Sequence, residues 1–267
     1  MTYWRYWQLN GAPFSGEPSQ PLFRGATVEE AIARIEFLVT NRRHVGCLMG
    51  PSGVGKSRLL RHCAQHPPVS AEVPSLQALR MSMLGLVGGE LIAELSMRLT
   101  GSLRPASTMH SWKTLCDYFG AAGRDGTQTV LLLDDTESCS AAAEDDLNRV
   151  LSMAFPLTVI FAVETQMASA VSRALFERTE LQTELPAWEI MQTAEFLAWT
   201  CQQLGRTEPI FTDSAVQQIQ LSSQGLPRRI IQLADLALVA GAVAQMDCID
   251  AECIEQVIWE LPKSYAA

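Results

Sequence analysis

Gly50, Gly55, Lys56 and Ser57 stand in the spacing G-x-x-x-x-G-K-[ST], filled out by Pro51, Ser52, Gly53 and Val54. Glycines let backbone N–H groups close around a phosphate, a lysine adds a point charge for the β and γ oxygens, and the closing hydroxyl is a ligand for Mg²⁺. Gly50, Ser52, Gly53, Val54, Gly55, Lys56, Ser57 and the following Arg58 are therefore the set expected to hold the phosphates of a nucleotide, with Ser57 also on the metal. The motif needs a strand before it and a helix after it. Val45-Gly46-Cys47-Leu48-Met49 reads as a short apolar strand, and residues 58–64 read as a helix whose N-terminus faces the phosphates.

A second chemical cluster follows Thr129-Val130-Leu131-Leu132-Leu133, an apolar run that ends in Asp134-Asp135. A carboxylate at the tip of a buried strand downstream of a phosphate loop is suited to the second ligand sphere of Mg²⁺, and Asp134 fills that place. A helix N-cap role for Asp134 leaves the apolar run before it unexplained. Asp135 is placed to orient and polarise an attacking water, although it is one methylene shorter than glutamate, which points to slow turnover or a closed geometry. Glu137 is an alternative base, read here as a solvated loop charge. Residues 157–163 form another apolar run, closing on Glu164-Thr165; Thr165 is the better partner for a γ-phosphate or water, since a bare carboxylate facing phosphate is repelled.

Arg173 and Arg178 lie on a short helix and its exit, either as surface charges or as a finger offered to a neighbour's γ-phosphate. Arg228 and Arg229 follow Gly225-Leu226-Pro227 and begin a helix. Cations at a helix N-terminus oppose the dipole, so this pair points to an anionic partner.

The elements that must position these residues fall in a regular order. Apolar strands alternate with helices through residues 27–186, the pattern of a parallel sheet covered on both faces, and ligands of such sheets gather at the C-terminal strand ends. Thr27 and Glu30 have capping-box spacing before the helix that leads into the phosphate loop. Pro67-Pro68 ends the helix after the loop, residues 76–83 alternate as a strand, and helical stretches at 90–99 and 109–119 are separated by a Gly/Ser/Pro linker. Residues 187–267 carry only helical periodicity, with Thr212 and Asp250 as N-caps. Residues 1–26 form an irregular arm bearing Tyr3, Trp4, Tyr6, Trp7, Phe14 and Phe23. Its rings either dock on a domain or neighbour, or close over an adenine ring.

Composition narrows the classes. The chain has 267 residues, 48% of them hydrophobic and 18% charged, which describes a folded domain or two rather than a disordered segment. A net charge of −9 counts against a surface built wholly for nucleic acid, while leaving room for a local basic strip. Seven cysteines without C-x-x-C pairs read as reduced, mostly buried thiols of a cytoplasmic protein. The first residues lack the pattern of a signal peptide, and the longest apolar run, 230–246, is too short and polar to span a bilayer.

Taken together, the arm Tyr6-Trp7 to Pro13-Phe14, Phe23, the phosphate loop, Leu131 to Asp135, Arg178 and Gly225-Leu226-Pro227-Arg228 resemble the AAA+ ATPases, and within them the secretion-ATPase group typified by general secretion pathway protein A and pilus-biogenesis ATPases. The resemblance implies a P-loop three-layer α/β/α fold with a C-terminal helical lid. It implies Asp134 as the Walker B metal ligand, Thr165 or Glu164 in sensor 1, Arg178 as a finger acting in trans, and Arg228 as the sensor 2 arginine. It further implies ATP and Mg²⁺ as cofactors, a homo-oligomeric ring or filament with nucleotide at the interfaces, and a protein client in a secretion or pilus machine. The group also resembles transposition-regulating ATPases that form filaments on duplex DNA. Asp135 in place of the usual glutamate, an unusual sensor 1, and the lack of a membrane span within the chain are departures from the pattern.

Overall fold

The computed structural model describes residues 2–15, 20–67, 75–101 and 107–260. Pro68, the linker at 102–106 and residues 261–267 of the stretch read as helical lie outside the described residues. In chain order the elements are α1 (Tyr3–Tyr6), α2 (Ala26–Thr40), β1 (Val45–Gly50), α3 (Lys56–Gln65), β2 (Leu76–Ser82), α4 (Glu90–Thr100), α5 (Thr108–Arg124), β3 (Gln128–Asp134), α6 (Ala141–Leu151), β4 (Leu157–Glu164), α7 (Arg173–Glu177), β5 (Leu181–Glu184), α8 (Ile190–Gln203), α9 (Asp213–Ser223), α10 (Pro227–Val243) and α11 (Ala251–Glu260). The chain divides into two compact units, one of Ala26–Ser52 and Lys56–Leu185, the other of Met1–Gly25, Gly53–Gly55 and Pro186–Ala267.

The first unit is a parallel five-stranded sheet in the order β2-β3-β4-β1-β5, covered by helices. Side chains alternate across such a sheet, so each strand feeds two cores. Leu131, Leu133, Phe161 and Val163 pack with Leu91, Ile92 and Leu95 of α4, and with Leu115 and Phe119 of α5. Val130 and Leu132, together with Leu76 and Ala78 of β2, face Ile35 and Val39 of α2 and Cys63 of α3. Both faces are buried, which is why β3 and β4 are continuous apolar runs in sequence. Parallel registration brings the strand ends to one edge: Gly50 pairs with Glu164, and Ser82 pairs with Asp134.

Helix starts in this unit follow their caps. Ser140 Oγ accepts from Ala143 N at 3.2 Å and Ser172 Oγ from Leu175 N at 3.4 Å, each satisfying an otherwise orphaned donor. The expected cap at Thr27 is displaced: α2 begins at Ala26, so Thr27 lies inside its first turn. The apolar stripe of Ala31, Ile32, Ile35 and Leu38 is buried, and it fixes which face of α2 meets the sheet.

The second unit is helical. The α8 start is a capping box between Glu189 and Gln192, Thr212 Oγ1 accepts from Ala215 N at 3.2 Å, and Asp250 Oδ1 accepts from Cys253 N at 2.9 Å. One isolated parallel bridge, Phe211 with Ile249, adds a backbone pairing that the helical periodicity of this region did not announce.

The aromatic arm belongs to this unit and is less irregular than its Gly and Pro content suggests. It contains the one-turn helix α1, and its rings are sunk into the helical core. Trp7 is 1% exposed and its indole N–H donates to Leu238 O at 2.8 Å. The Tyr6 hydroxyl donates to Met246 O at 2.7 Å, and the Tyr3 hydroxyl donates to Asp235. Phe14 meets Phe196 and Phe211 at ring separations of 6.0 and 6.3 Å, and Phe23 meets Trp188 and Trp199 at 5.6 and 5.4 Å. These edge-on and tilted contacts fill the apolar face that the helices alone would leave bare. No helix among the described residues is long and apolar enough to cross a membrane.

Candidate nucleotide-binding site

The phosphate loop leaves β1 at Gly50 and enters α3 at Lys56. Gly53 and Gly55 take φ of +79° and +113°, a region that L side chains avoid, so the turn depends on glycine at both places. Among the described residues nothing lies within 4 Å of where a Cβ on Gly55 would stand. Lys56 Nζ donates to Gly50 O at 2.7 Å and to Pro51 O at 3.1 Å, folding the ammonium back over its own loop. Ser57 and Arg58 are half-buried in the first turn of α3. Burial, and then the neighbouring charge of Arg61, lower the pKa of the Arg58 guanidinium; an anion at this helix start would counter both effects.

Asp134 ends β3 with a side chain only 3% exposed. Its parity with Val130 and Leu132 directs it to the α2–α3 face of the sheet, the face on which α3 begins. Its Oδ2 is met by Arg80 Nη2 at 2.7 Å, from the same face of β2. Asp135 follows in the left-handed region, with φ 54° and ψ 38°, a conformation that aspartate tolerates better than most residues. Its Oδ2 accepts from Ser82 Oγ at 2.6 Å. Arg80 and Ser82 were not singled out from sequence. The signal for Arg80 was a charge within a strand, at the same parity as the apolar Leu76 and Ala78.

Glu137 departs from the solvated loop charge expected of it. Its Oε1 accepts from the backbone N–H of Glu164 at 3.2 Å, and its Oε2 is buried without a hydrogen-bond partner. It ties the turn after β3 to the end of β4. Thr165 is exposed at the start of a short 3₁₀ segment, Thr165–Ala170, directly after β4. Arg178 is exposed at the exit of α7 and donates to Ser152 Oγ at 2.9 Å.

In the helical unit, Arg228 is exposed in the first turn of α10, immediately after Pro227. Its backbone N–H donates to Gly53 O at 3.1 Å, and Gly53 groups with this unit. The preceding Gly225 has φ +71°, and a Cβ there would meet Trp188 O at 2.1 Å, so the bend into α10 admits no side chain.

These residues fit a magnesium nucleotide. The described residues contain no cluster of three His, Cys, Asp or Glu that would hold a metal by itself. Magnesium keeps several waters and is usually bound through one or two carboxylates plus substrate phosphates, so the buried Asp134 at the end of β3 and the Ser57 hydroxyl in the first turn of α3 are a sufficient protein contribution. Arg80 Nε, buried and without a partner, is a donor still available to an anionic oxygen.

No family model matches the chain. It is 22% identical to General secretion pathway protein A of Aeromonas hydrophila over 247 residues, which covers 89% of this chain and 44% of that protein. The chain thus spans less than half the length of that relative. Among solved structures it is similar to the Thermotoga maritima RuvB Holliday junction branch migration motor, with TM-score 0.60 and 20% identity over 88% of this chain and 68% of that one. It is also similar to the Aeropyrum pernix ORC2 protein solved as ADPNP and ADP complexes, with TM-score 0.66 and 16% identity over 94% of this chain and 72% of that one. A Drosophila ORC chain bound to DNA gives TM-score 0.64 and 20% identity over 91% and 62%. The parallel sheet, the phosphate loop between β1 and α3 and these likenesses give the fold of the AAA+ P-loop NTPases, and among sequences the chain resembles General secretion pathway protein A.

Proposed function

We propose that this chain is a cytoplasmic Mg-ATP-binding AAA+ ATPase that hydrolyses slowly, assembles with nucleotide at its subunit interfaces, and drives the assembly or remodelling of a secretion or pilus-type machine. The observation that carries the reading is the phosphate loop at the end of β1 on the same sheet edge as the buried Asp134. The similarity to General secretion pathway protein A over 89% of the chain supports the secretion client.

In this reading Gly50, Ser52, Gly53, Val54 and Gly55 surround the phosphates, Lys56 turns from its loop carbonyls to the phosphate oxygens, and Arg58 lies at the helix start behind them. Ser57 and Asp134 would hold the metal, which would supply positive charge against the phosphate oxygens. Asp135 takes the proton of the attacking water, and Thr165 orients that water. Arg178 of a neighbouring subunit and Arg228 stabilise charge on the transferred group. Arg178 spends its hydrogen bond on an exposed serine, a partner it can leave at low cost.

A second reading is an ATP-dependent regulator that forms filaments on duplex DNA. It is supported by solved neighbours described as a branch migration motor and as bound to DNA, and it is opposed by the net charge of −9. A third is an ATP-held scaffold with almost no turnover, supported by the engagement of Asp135 with Ser82.

The test is ATPase activity per subunit against protein concentration. Activity that rises with concentration and falls about 10³-fold in Arg178→Ala, with ATP binding retained, supports a site shared between subunits. Flat, near-zero activity with intact binding favours the scaffold. Strongly salt-dependent, ATP-requiring DNA affinity favours the filament.

A further inference from the structure

Arg80 places a permanent positive charge inside β2, on the face where Leu76 and Ala78 are packed against α2 and α3. Its Nη2 reaches Asp134 Oδ2 at 2.7 Å, with side-chain exposures of 26% for Arg80 and 3% for Asp134. Its Nε is buried and without a hydrogen-bond partner, so the guanidinium is only partly satisfied by the pair. Arg98 Nη1 anchors the backbone below it by donating to Arg80 O at 3.1 Å.

A carboxylate as buried as Asp134 needs a counter-charge, and Arg80 supplies one. The proposed function assigns the same carboxylate to a divalent metal. A guanidinium and a metal ion drawn to one carboxylate repel each other, so occupancy by one disfavours the other. The unsatisfied Nε gives the guanidinium a reason to move, since a phosphate oxygen would accept from it. We propose that Arg80 is a resident counter-ion of Asp134 that competes with the divalent metal, holding the carboxylate in the metal-free site and yielding it when metal and nucleotide arrive together. This rests on the reading of Asp134 as a metal ligand. The competition makes Arg80 a positioning residue that sets how strongly nucleotide binding depends on metal.

The experiment is a fluorescence titration of the full chain with mant-ADP, first in EDTA and then across a range of Mg²⁺ concentrations. Metal and nucleotide affinities are linked reciprocally, so Arg80→Gln should lower the half-maximal Mg²⁺ for tight mant-ADP binding by about tenfold and weaken binding in EDTA. Arg80→Lys, which keeps a point charge, should shift the half-maximal Mg²⁺ by no more than about threefold. Asp134→Asn should abolish the Mg²⁺ response in every background. A wild-type chain that responds to Mg²⁺ through Asp134, together with an Arg80→Gln midpoint unchanged within about twofold, overturns the competition and leaves the nucleotide reading intact. A wild-type chain that binds no mant-ADP overturns both.

If Arg80→Gln does not fold, the wild-type protein labelled with ¹⁵N-arginine answers the question directly. The Arg80 Nε–H signal, assigned by its loss in Arg80→Lys, should move when Mg²⁺ is added to the ADP complex. A signal that stays where it is in EDTA overturns the proposal.

Discussion

Ser82 Oγ donates to Asp135 Oδ2 across 2.6 Å, joining the last residue of β2 to the first residue beyond β3. The pairing follows from registration, since Ser82 stands opposite Asp134, and the left-handed backbone at Asp135 then turns its carboxylate toward the serine. Backbone and hydroxyl together fix where the short carboxylate stands. A base one methylene shorter than glutamate has less reach, so its placement matters more. Ser82→Ala is expected to lower kcat about tenfold, in keeping with the loss of a hydrogen bond to a charged group, with nucleotide affinity unchanged. A rise in kcat would mean that the serine restrains the base instead of presenting it.

Asp135 itself should be dispensable for binding. Asp135→Asn keeps size and hydrogen-bonding capacity while removing the proton acceptor of the proposed reading, and general bases typically contribute about 10²- to 10⁴-fold. Turnover should fall by that factor with mant-ATP affinity intact. Asp135→Glu extends the carboxylate by one methylene, and a large gain in turnover there would identify a native site tuned for holding nucleotide.

Lys56 has two tasks that substitution separates. Its ammonium closes the loop through Gly50 O and Pro51 O at 2.7 and 3.1 Å. With nucleotide it is the charge nearest the phosphates in the proposed reading. Lys56→Ala removes one partner of a charged contact, a change that costs about 2 to 5 kcal/mol, so nucleotide affinity should weaken by at least about 30-fold. Thermal stability without nucleotide should change little. A variant that binds mant-ATP as the wild type does would remove the loop from the nucleotide site.

Alkaline pH should destabilise the fold through buried thiols. Burial pushes Cys47 from 9.0 up to about 12 and Cys201 from 9.0 up to about 11. Each folded-state value is raised, so the stabilisation is fully present below pH 9 and is lost as pH climbs from 9 toward the folded value. Urea midpoints should be flat from pH 7 to about 8.5 and then fall, with a slope of roughly 1.4 kcal/mol per pH unit for each thiol that titrates only on unfolding. Cys47→Ala should flatten the decline. A decline that is the same in Cys47→Ala would assign it to other groups, such as the Tyr3 phenol, which burial and the bond to Asp235 shift in the same direction.

Strand and helix types were legible because both faces of the sheet are buried: an apolar run such as Val130 to Leu133 admits few other readings. The phosphate loop was legible because its glycines, lysine and serine are each demanded by local geometry. Arg80 and Ser82 were not, because their importance depends on β2 pairing with β3, a contact between residues about 50 positions apart that no local period encodes. Glu137 misled for the same reason, since its backbone partner Glu164 arrives on another strand. The α1 turn was missed because four residues are too few to show a helical period.

Trp7 is the residue on which the arm's part in the fold can be decided. It is 1% exposed, its N–H is satisfied by Leu238 O, and its ring stands within reach of the Arg206 guanidinium, 6.0 Å from the ring centre. Arg206 also donates to Trp7 O at 2.9 Å, so the side chain and backbone of one arm residue are held by two different segments of the helical unit. Removing so large a buried ring leaves a cavity and a lost hydrogen bond together, and Trp7→Ala should cost about 3 to 5 kcal/mol. Trp7→Phe should cost less, since most of the apolar contact survives. If the arm serves the fold alone, chemical denaturation will rank the variants wild type, Phe, Ala, while the mant-ATP affinity of the folded Phe variant stays unchanged. A Phe variant of near-native stability with markedly weaker nucleotide binding would instead assign the arm to adenine.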